Sequence, residues 1–259
     1  MKFAILILAV SATATANANA NTNICSNYGC PTGTPSSNDI VERPIYVLSN
    51  NRTTKFADWV AYKVTPSTID GPSRSRTWKS DPKIASRYTL EPSDYSDAWA
   101  TIHTDRGHQV PLASFSNTSN WSDTNYLSNI TPQSSNLNQG PWVKLENAVR
   151  SLVRTGENAY VFTGPLYEYY FATLPGADES HTIPSGYFKV VVTIAGSNVK
   201  ASAFIMEQTS GRYLDYCKTE VTIDEVEQRA GLNILPSLPS YKATDIEGRV
   251  GALSSQLGC

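Results

Sequence analysis

Residues 99–113 read Trp-Ala-Thr-Ile-His-Thr-Asp-Arg-Gly-His-Gln-Val-Pro-Leu-Ala, and the fold turns on how that stretch is parsed. Trp99–Thr104, with its β-branched and aromatic side chains, predicts a strand, and Asp105-Arg106-Gly107 predicts the turn that ends it. Beyond it, Trp142, Leu145, Val149 and Leu152 recur at helical spacing, with Lys144, Glu146, Asn147 and Arg150 elsewhere around the same axis. Pro141 falls in the first turn of that helix, where its missing N–H is harmless. Strands are expected upstream at Ile45–Leu48 and Trp59–Val64, and downstream at Ala159–Phe162, Tyr187–Ile194 and Ala201–Met206. Thr222-Ile223-Asp224-Glu225 is a capping box opening a second helix that Gly231 closes. Strands, one helix, then more strands imply an α+β fold with a central, mainly antiparallel sheet flanked by helices. Between the early strands and residue 99, Pro66 to Asp97 is polar and rich in Pro and Ser, a long surface excursion of the kind that usually serves function.

The same stretch carries chemistry. His108 is a proton acceptor placed next but one to a permanent cation, Arg106, and a phosphodiester hydrolase needs both: a base for water and a holder for the anion under attack. A neutral imidazole has an unperturbed pKa of ~6.5, so it can serve at neutral pH. The chain has three histidines, and packing is enough to explain His103 and His181.

Composition narrows the class. Met1-Lys2, the apolar run Phe3 to Val10 and the small residues from Ala12 to Ala20 form a secretory signal peptide, with cleavage after Ala18 or Ala20. The apolar run is too short to span a bilayer. Residues 21–259 are of a size for a single domain and show no linker or repeat. Without Lys2 the chain has 20 Lys+Arg against 23 Asp+Glu, a net charge of −3, which excludes a protein that grips nucleic acid through a broad basic surface. The cations that matter are local: Arg74, Arg76, Lys79, Lys83, Arg87, Arg106, Lys144, Arg150 and Arg154 fall around the motifs. Four cysteines, Cys25, Cys30, Cys217 and Cys259, follow the leader; an oxidising compartment suggests two disulfides, with three pairings open. A zinc site is disfavoured, because there is no Cys-x-x-Cys pair.

Asp105-Arg106-Gly107-His108-Gln109-Val110-Pro111-Leu112-Ala113 resembles the active-site signature of the DNA/RNA non-specific endonucleases, the ββα-metal nucleases, and among them the secreted Serratia-type enzymes. Tyr126-Leu127-Ser128-Asn129-Ile130-Thr131-Pro132-Gln133, Leu137-Asn138-Gln139-Gly140-Pro141-Trp142 and Leu145-Glu146 match the rest of that site in order and spacing. The resemblance implies a ββα active-site unit, a secreted (extracellular or periplasmic) Mg²⁺-dependent endonuclease with Mn²⁺ as substitute, single- and double-stranded DNA and RNA as substrates, and 5′-phosphate ends. It implies His108 as general base and Asn129 as the direct metal ligand. Glu146 would act through metal-bound water, Asn138 would orient groups around the scissile phosphate, and Arg76 and Arg106 would stabilise the transition state. Arg150 is a further candidate, Arg74 replaces Arg76 if the loop register shifts by two, and Asp105 is expected to orient Arg106 or the turn. The pairing Cys25–Cys30 with Cys217–Cys259 is also implied. No membrane partner is expected, and a homodimer is left open.

Asn129-Ile130-Thr131 is also a glycosylation sequon, and a glycan there would preclude a metal. Two rival functions differ in class. An RNA-only nuclease using the 2′-hydroxyl needs two acid–base groups and no metal, so chelator separates it. A secreted glycan- or nucleic-acid-binding module would use Trp59, Trp78 and Trp99 as platforms, but the aromatics are scattered along strands as core residues are.

Overall fold

The computed structural model describes residues 22–259; the leader expected over residues 1–20 lies outside the described residues. Nine strands are described: β1 Asp39–Glu42, β2 Tyr46–Asn50, β3 Ala57–Val64, β4 Thr104–His108, β5 Ile130–Ser134, β6 Ala159–Leu166, β7 Gly186–Ala195, β8 Asn198–Glu207 and β9 Glu220–Val221. Seven form one sheet in the order β1-β2-β3-β6-β7-β8-β9, every neighbouring pair antiparallel. β4 and β5 pair apart from it, and the helix Val143–Arg154 follows them. This is the α+β, mainly antiparallel architecture with a ββα unit that the sequence implies.

Side chains alternate across the central strands, so the sheet has two buried faces. Tyr187 and Val191 of β7 meet Trp142, Leu145, Val149 and Leu152 on one face. Phe188, Val190 and Val192 meet Ile223, Val226 and Ile246 on the other. The helix Val143–Arg154 thus owes its place to the apolar spacing seen in the sequence, and that packing brings its polar Glu146 near Lys189 of β7. The helix Ile223–Ala230 is capped as expected: Thr222 Oγ1 accepts from Glu225 N at 3.0 Å, and Gly231 closes it at φ 68°.

Three local expectations are corrected. Trp99–Thr104 is not a strand: Ala98–Ile102 is a short helix bracketed by Asp97 (φ 57°) and His103 (φ 52°), both left-handed, and the strand begins at Thr104. Gly107 does not make a turn. It sits inside β4 opposite Thr131, where a Cβ would lie 2.2 Å from Gln133 Oε1, so glycine serves close approach of β5. Pro141 lies ahead of the helix Val143–Arg154, within a wide turn Asn138–Trp142 that is broken at Gly140 (φ −111°, ψ −114°).

Both disulfides are formed, Cys25–Cys30 and Cys217–Cys259, with Cα separations of 4.7 and 5.4 Å. They close loops of 5 and 42 residues. Chain entropy makes the longer loop worth ~4 kcal/mol and the shorter ~2 kcal/mol. Replacing Cys217 and Cys259 by serine is therefore expected to lower the denaturation midpoint by more than replacing Cys25 and Cys30, as read by urea titration; the reverse order would reject the loop-entropy account.

Candidate active site

Strand β4 supplies the first part of the site. Arg106 and His108 are two apart on a strand and project to one face. Helix packing supplies the second part, Glu146 in the first turn of Val143–Arg154 and Asn138 in the wide turn before it. The long excursion from Pro66 supplies the third, Arg76, Trp78 and Tyr95. It is pinned by Asp81, which is buried, pairs with Arg43 and accepts from Ser128 Oγ at 2.5 Å. Arg76, Trp78, Tyr95, Arg106, His108, Asn138 and Glu146, with Arg150, line one cavity of about 910 Å³.

His108 is held on two sides. Its ring lies 5.2 Å from that of Trp78, and its Nε2 faces Asn125 Oδ1 at 3.4 Å. Asn125 donates its own amide to Ser75 O at 3.2 Å, which turns its oxygen toward the ring. The ring proton therefore belongs on Nε2, and the Nδ1 lone pair is left to accept. Burial, offset in part by the Asn125 hydrogen bond and reinforced by the Arg76 charge, pushes the imidazole pKa down to about 4, so it is neutral at physiological pH.

Asn138 donates its amide to Asp105 Oδ2 at 2.9 Å, and the same carboxylate takes Gln139 Nε2 at 2.8 Å and Ser135 Oγ at 2.7 Å. Asp105 thus organises the 135–139 turn rather than Arg106, and Asn138 Oδ1 has no donor among the described residues. Burial raises the Glu146 carboxyl above its ordinary range, opposed by the charges of Lys189, Arg150 and Arg76. Lys189 is fully buried in the middle of β7, with its Nζ 4.3 Å from the Trp142 ring centroid and 3.2 Å from Tyr62 Oη. It places a cation behind Glu146, and burial lowers its own pKa to about 8.

The arginines divide by their partners. Arg76 is exposed and makes no hydrogen bond or ion pair with another described residue. Arg106 donates to Pro92 O at 3.1 Å and lies 5.2 Å from the Tyr95 ring, with no carboxylate among the described residues paired to it. Arg150 is buried and committed to Ser114 Oγ at 3.2 Å and Asn147 Oδ1 at 2.5 Å. Arg74 donates to Ser116 O and does not line the cavity, so the loop register brings Arg76.

Asn129 is the site residue the structure does not bring in. Its side chain is wholly buried; Oδ1 accepts from Val110 N at 2.8 Å, and Nδ2 donates to Val110 O at 3.1 Å and Thr124 O at 2.9 Å. It does not line the cavity, and its complete burial leaves no room for a glycan. It staples the residues after β4 to the loop before β5. His103 and His181 are structural, as read: His181 Nε2 accepts from Leu174 N at 2.9 Å, while His103 ends the short helix. Asn125 and Lys189 were not legible as site residues. Asn125 stands one position ahead of the Tyr126–Gln133 motif, and the only sign of Lys189 is a lysine interrupting an apolar strand.

The family model described as DNA/RNA non-specific endonuclease matches residues 25–240. The chain is 45% identical over 234 residues to the nuclease of Serratia marcescens, covering 89% of this chain and 87% of that one. It is 30% identical over 229 residues to human mitochondrial endonuclease G, covering 80% and 72%. A solved structure, the EndoG/EndoGI complex described for the mechanism of EndoG inhibition, superposes with a TM-score of 0.71 at 25% identity, covering 86% of this chain and 94% of that one. With that family model matching residues 25–240 and 45% identity to the Serratia marcescens nuclease across most of both chains, the chain belongs to the DNA/RNA non-specific endonucleases.

Proposed function

We propose that the chain is a secreted, single-domain enzyme that hydrolyses single- and double-stranded DNA and RNA in the presence of a divalent cation, Mg²⁺ with Mn²⁺ as substitute, leaving 5′-phosphate ends. The observation that supports it most is the convergence in one cavity of a neutral imidazole with a free lone pair and two arginines that pair with no carboxylate among the described residues. The leader and the two disulfides support secretion, and no helix among the described residues is long and apolar enough to cross a membrane.

The donor set fits a hard cation. Asn138 Oδ1, which has no donor among the described residues, and the Glu146 carboxylate are the oxygens that would hold it; one carboxylate and one amide suit an ion that keeps most of its waters. Asn138, not Asn129, takes the direct position in this reading. When bound, such a cation polarises the phosphate and offsets charge on the leaving oxygen. His108 takes a proton from the attacking water at Nδ1. Arg76 and Arg106 hold the non-bridging oxygens, whose negative charge grows toward the transition state. Arg150, fixed by Ser114 and Asn147, adds positive charge near Glu146.

None of these contacts involves a sugar hydroxyl or a base edge, so purified protein is expected to degrade plasmid DNA and RNA alike with Mg²⁺, with little sequence preference. Chelator is expected to stop both. Digestion of RNA alone, or activity that survives chelator, would reject the reading.

A further inference from the structure

The endonuclease reading leaves one conspicuous side chain unused. Of the five tryptophans, Trp59 and Trp142 are buried and Trp78 and Trp121 half-buried; Trp99 alone is exposed, at 64%. It is not on a remote surface. Trp99 lines the same cavity as His108, Arg106 and Asn138, whereas the other strongly exposed aromatics, Tyr170, Tyr213 and Tyr241, do not.

Nor is it loosely hung. The helix Ala98–Ile102 is locked between the left-handed residues Asp97 and His103, and Ala98 is buried beneath it. The His103 ring packs edge-on against the indole, with centroids 6.2 Å apart and planes at 81°. His103 O accepts from Ser135 N at 2.8 Å, which ties this helix to the turn that carries Asn138. The indole is thus set relative to the reacting groups while most of its surface is exposed, and among the described residues its only aromatic neighbour meets it edge-on.

We infer that Trp99 is a stacking platform for a nucleobase of an unpaired strand, making it a specificity-determining residue that favours single-stranded over duplex substrate. This rests on the endonuclease reading of the cavity. An exposed aromatic face beside phosphate-holding arginines fits a nucleotide: the backbone lies along Arg76 and Arg106, and a base lies flat on the indole. A base in a duplex has both faces covered by its neighbours and must leave the stack to reach Trp99, whereas an unpaired base has a face to offer. Stacking on a protein aromatic is sequence-tolerant, because every base has such a face.

The test compares wild type, Trp99→Ala and Trp99→Phe on a single-stranded DNA oligonucleotide and on a hairpin duplex of the same composition, under one set of Mg²⁺ conditions. The readout is the ratio of kcat/KM for the single strand to that for the duplex. Loss of a base stack is expected to lower that ratio ~10-fold in Trp99→Ala, through KM on the single strand, and Trp99→Phe is expected to restore most of it. An unchanged ratio in Trp99→Ala, or no difference between Ala and Phe, overturns the inference. Melting temperatures within a few degrees of wild type confirm that the cleft is intact; if Trp99→Ala melts early, Trp99→Leu, which keeps apolar bulk without an aromatic face, takes its place, with the same ~10-fold drop in the ratio expected and an unchanged ratio overturning the inference. A wild type that cuts neither substrate sinks the endonuclease reading itself, whereas an active wild type with an unmoved ratio sinks only the role of Trp99.

Discussion

Replacing His108 by alanine is expected to lower kcat on DNA and on RNA by at least ~10²–10⁴-fold, the range a positioned general base supplies, with little change in melting temperature. The ring stands at the edge of the cavity against Trp78 rather than in the core, so its removal opens the cleft without emptying a packed layer. A variant that keeps a third of wild-type kcat would refute the assignment. The ring's environment adds a pH signature. Protonation removes the lone pair, so kcat/KM falls as pH falls through the imidazole pKa. Burial sets that pKa at about 4 instead of the ordinary 6.5, so the acid limb is expected well below pH 6. Asn125→Asp should move the limb upward, because a carboxylate facing Nε2 favours the imidazolium. A wild-type limb at or above pH 6.5, or one that Asn125→Asp leaves in place, would show that this environment does not govern the base.

What the sequence shows and what it hides follow from the range of the interactions involved. The central strands are legible because runs such as Tyr187–Ile194 are long and rich in β-branched and aromatic residues. The helix Val143–Arg154 is legible because its apolar residues keep helical spacing over several turns. Ala98–Ile102 is not. Five residues are less than two turns, too few to separate a period of 3.6 from a period of 2, and its ends are set by left-handed Asp97 and His103, where no glycine marks the conformation. His108 stands out because its chemistry is local, with Arg106 and Gly107 beside it. Lys189 and Asn125 gain their roles only through tertiary contacts. The Nζ of Lys189 meets Tyr62, 127 residues away in sequence, and the amide of Asn125 meets Ser75, 50 residues away. No short motif announces contacts of that separation.

The two asparagines make the sharpest case, because the reading proposed from their side-chain contacts exchanges the roles expected from sequence, and their variants are expected to fail in opposite ways. Asn138 has its amide nitrogen held by Asp105 and its oxygen turned free; Asn129 has both ends consumed by backbone. Asn138→Ala is therefore expected to lower kcat by ~10²–10³-fold, the equivalent of the few kcal/mol that metal-assisted charge stabilisation supplies. Its stability should stay near wild type, and nucleic-acid binding should survive through Arg76 and Arg106. Asp105→Asn should give a milder loss of ~10–100-fold, since it only loosens the group that aims the ligand. Asn129→Ala strands Val110 N–H, Val110 C=O and Thr124 C=O in the interior. At about 1–3 kcal/mol for each unpaired buried group, that is at least ~3 kcal/mol, or roughly 6–12 °C in Tm for a chain of this size. What remains folded should still turn over and still bind metal. Calorimetry and steady-state kinetics on the same three preparations decide the matter. If Asn129→Ala melts like wild type but has lost turnover, while Asn138→Ala stays active, then Asn129 is the ligand and the side-chain packing described around it does not hold in the working enzyme.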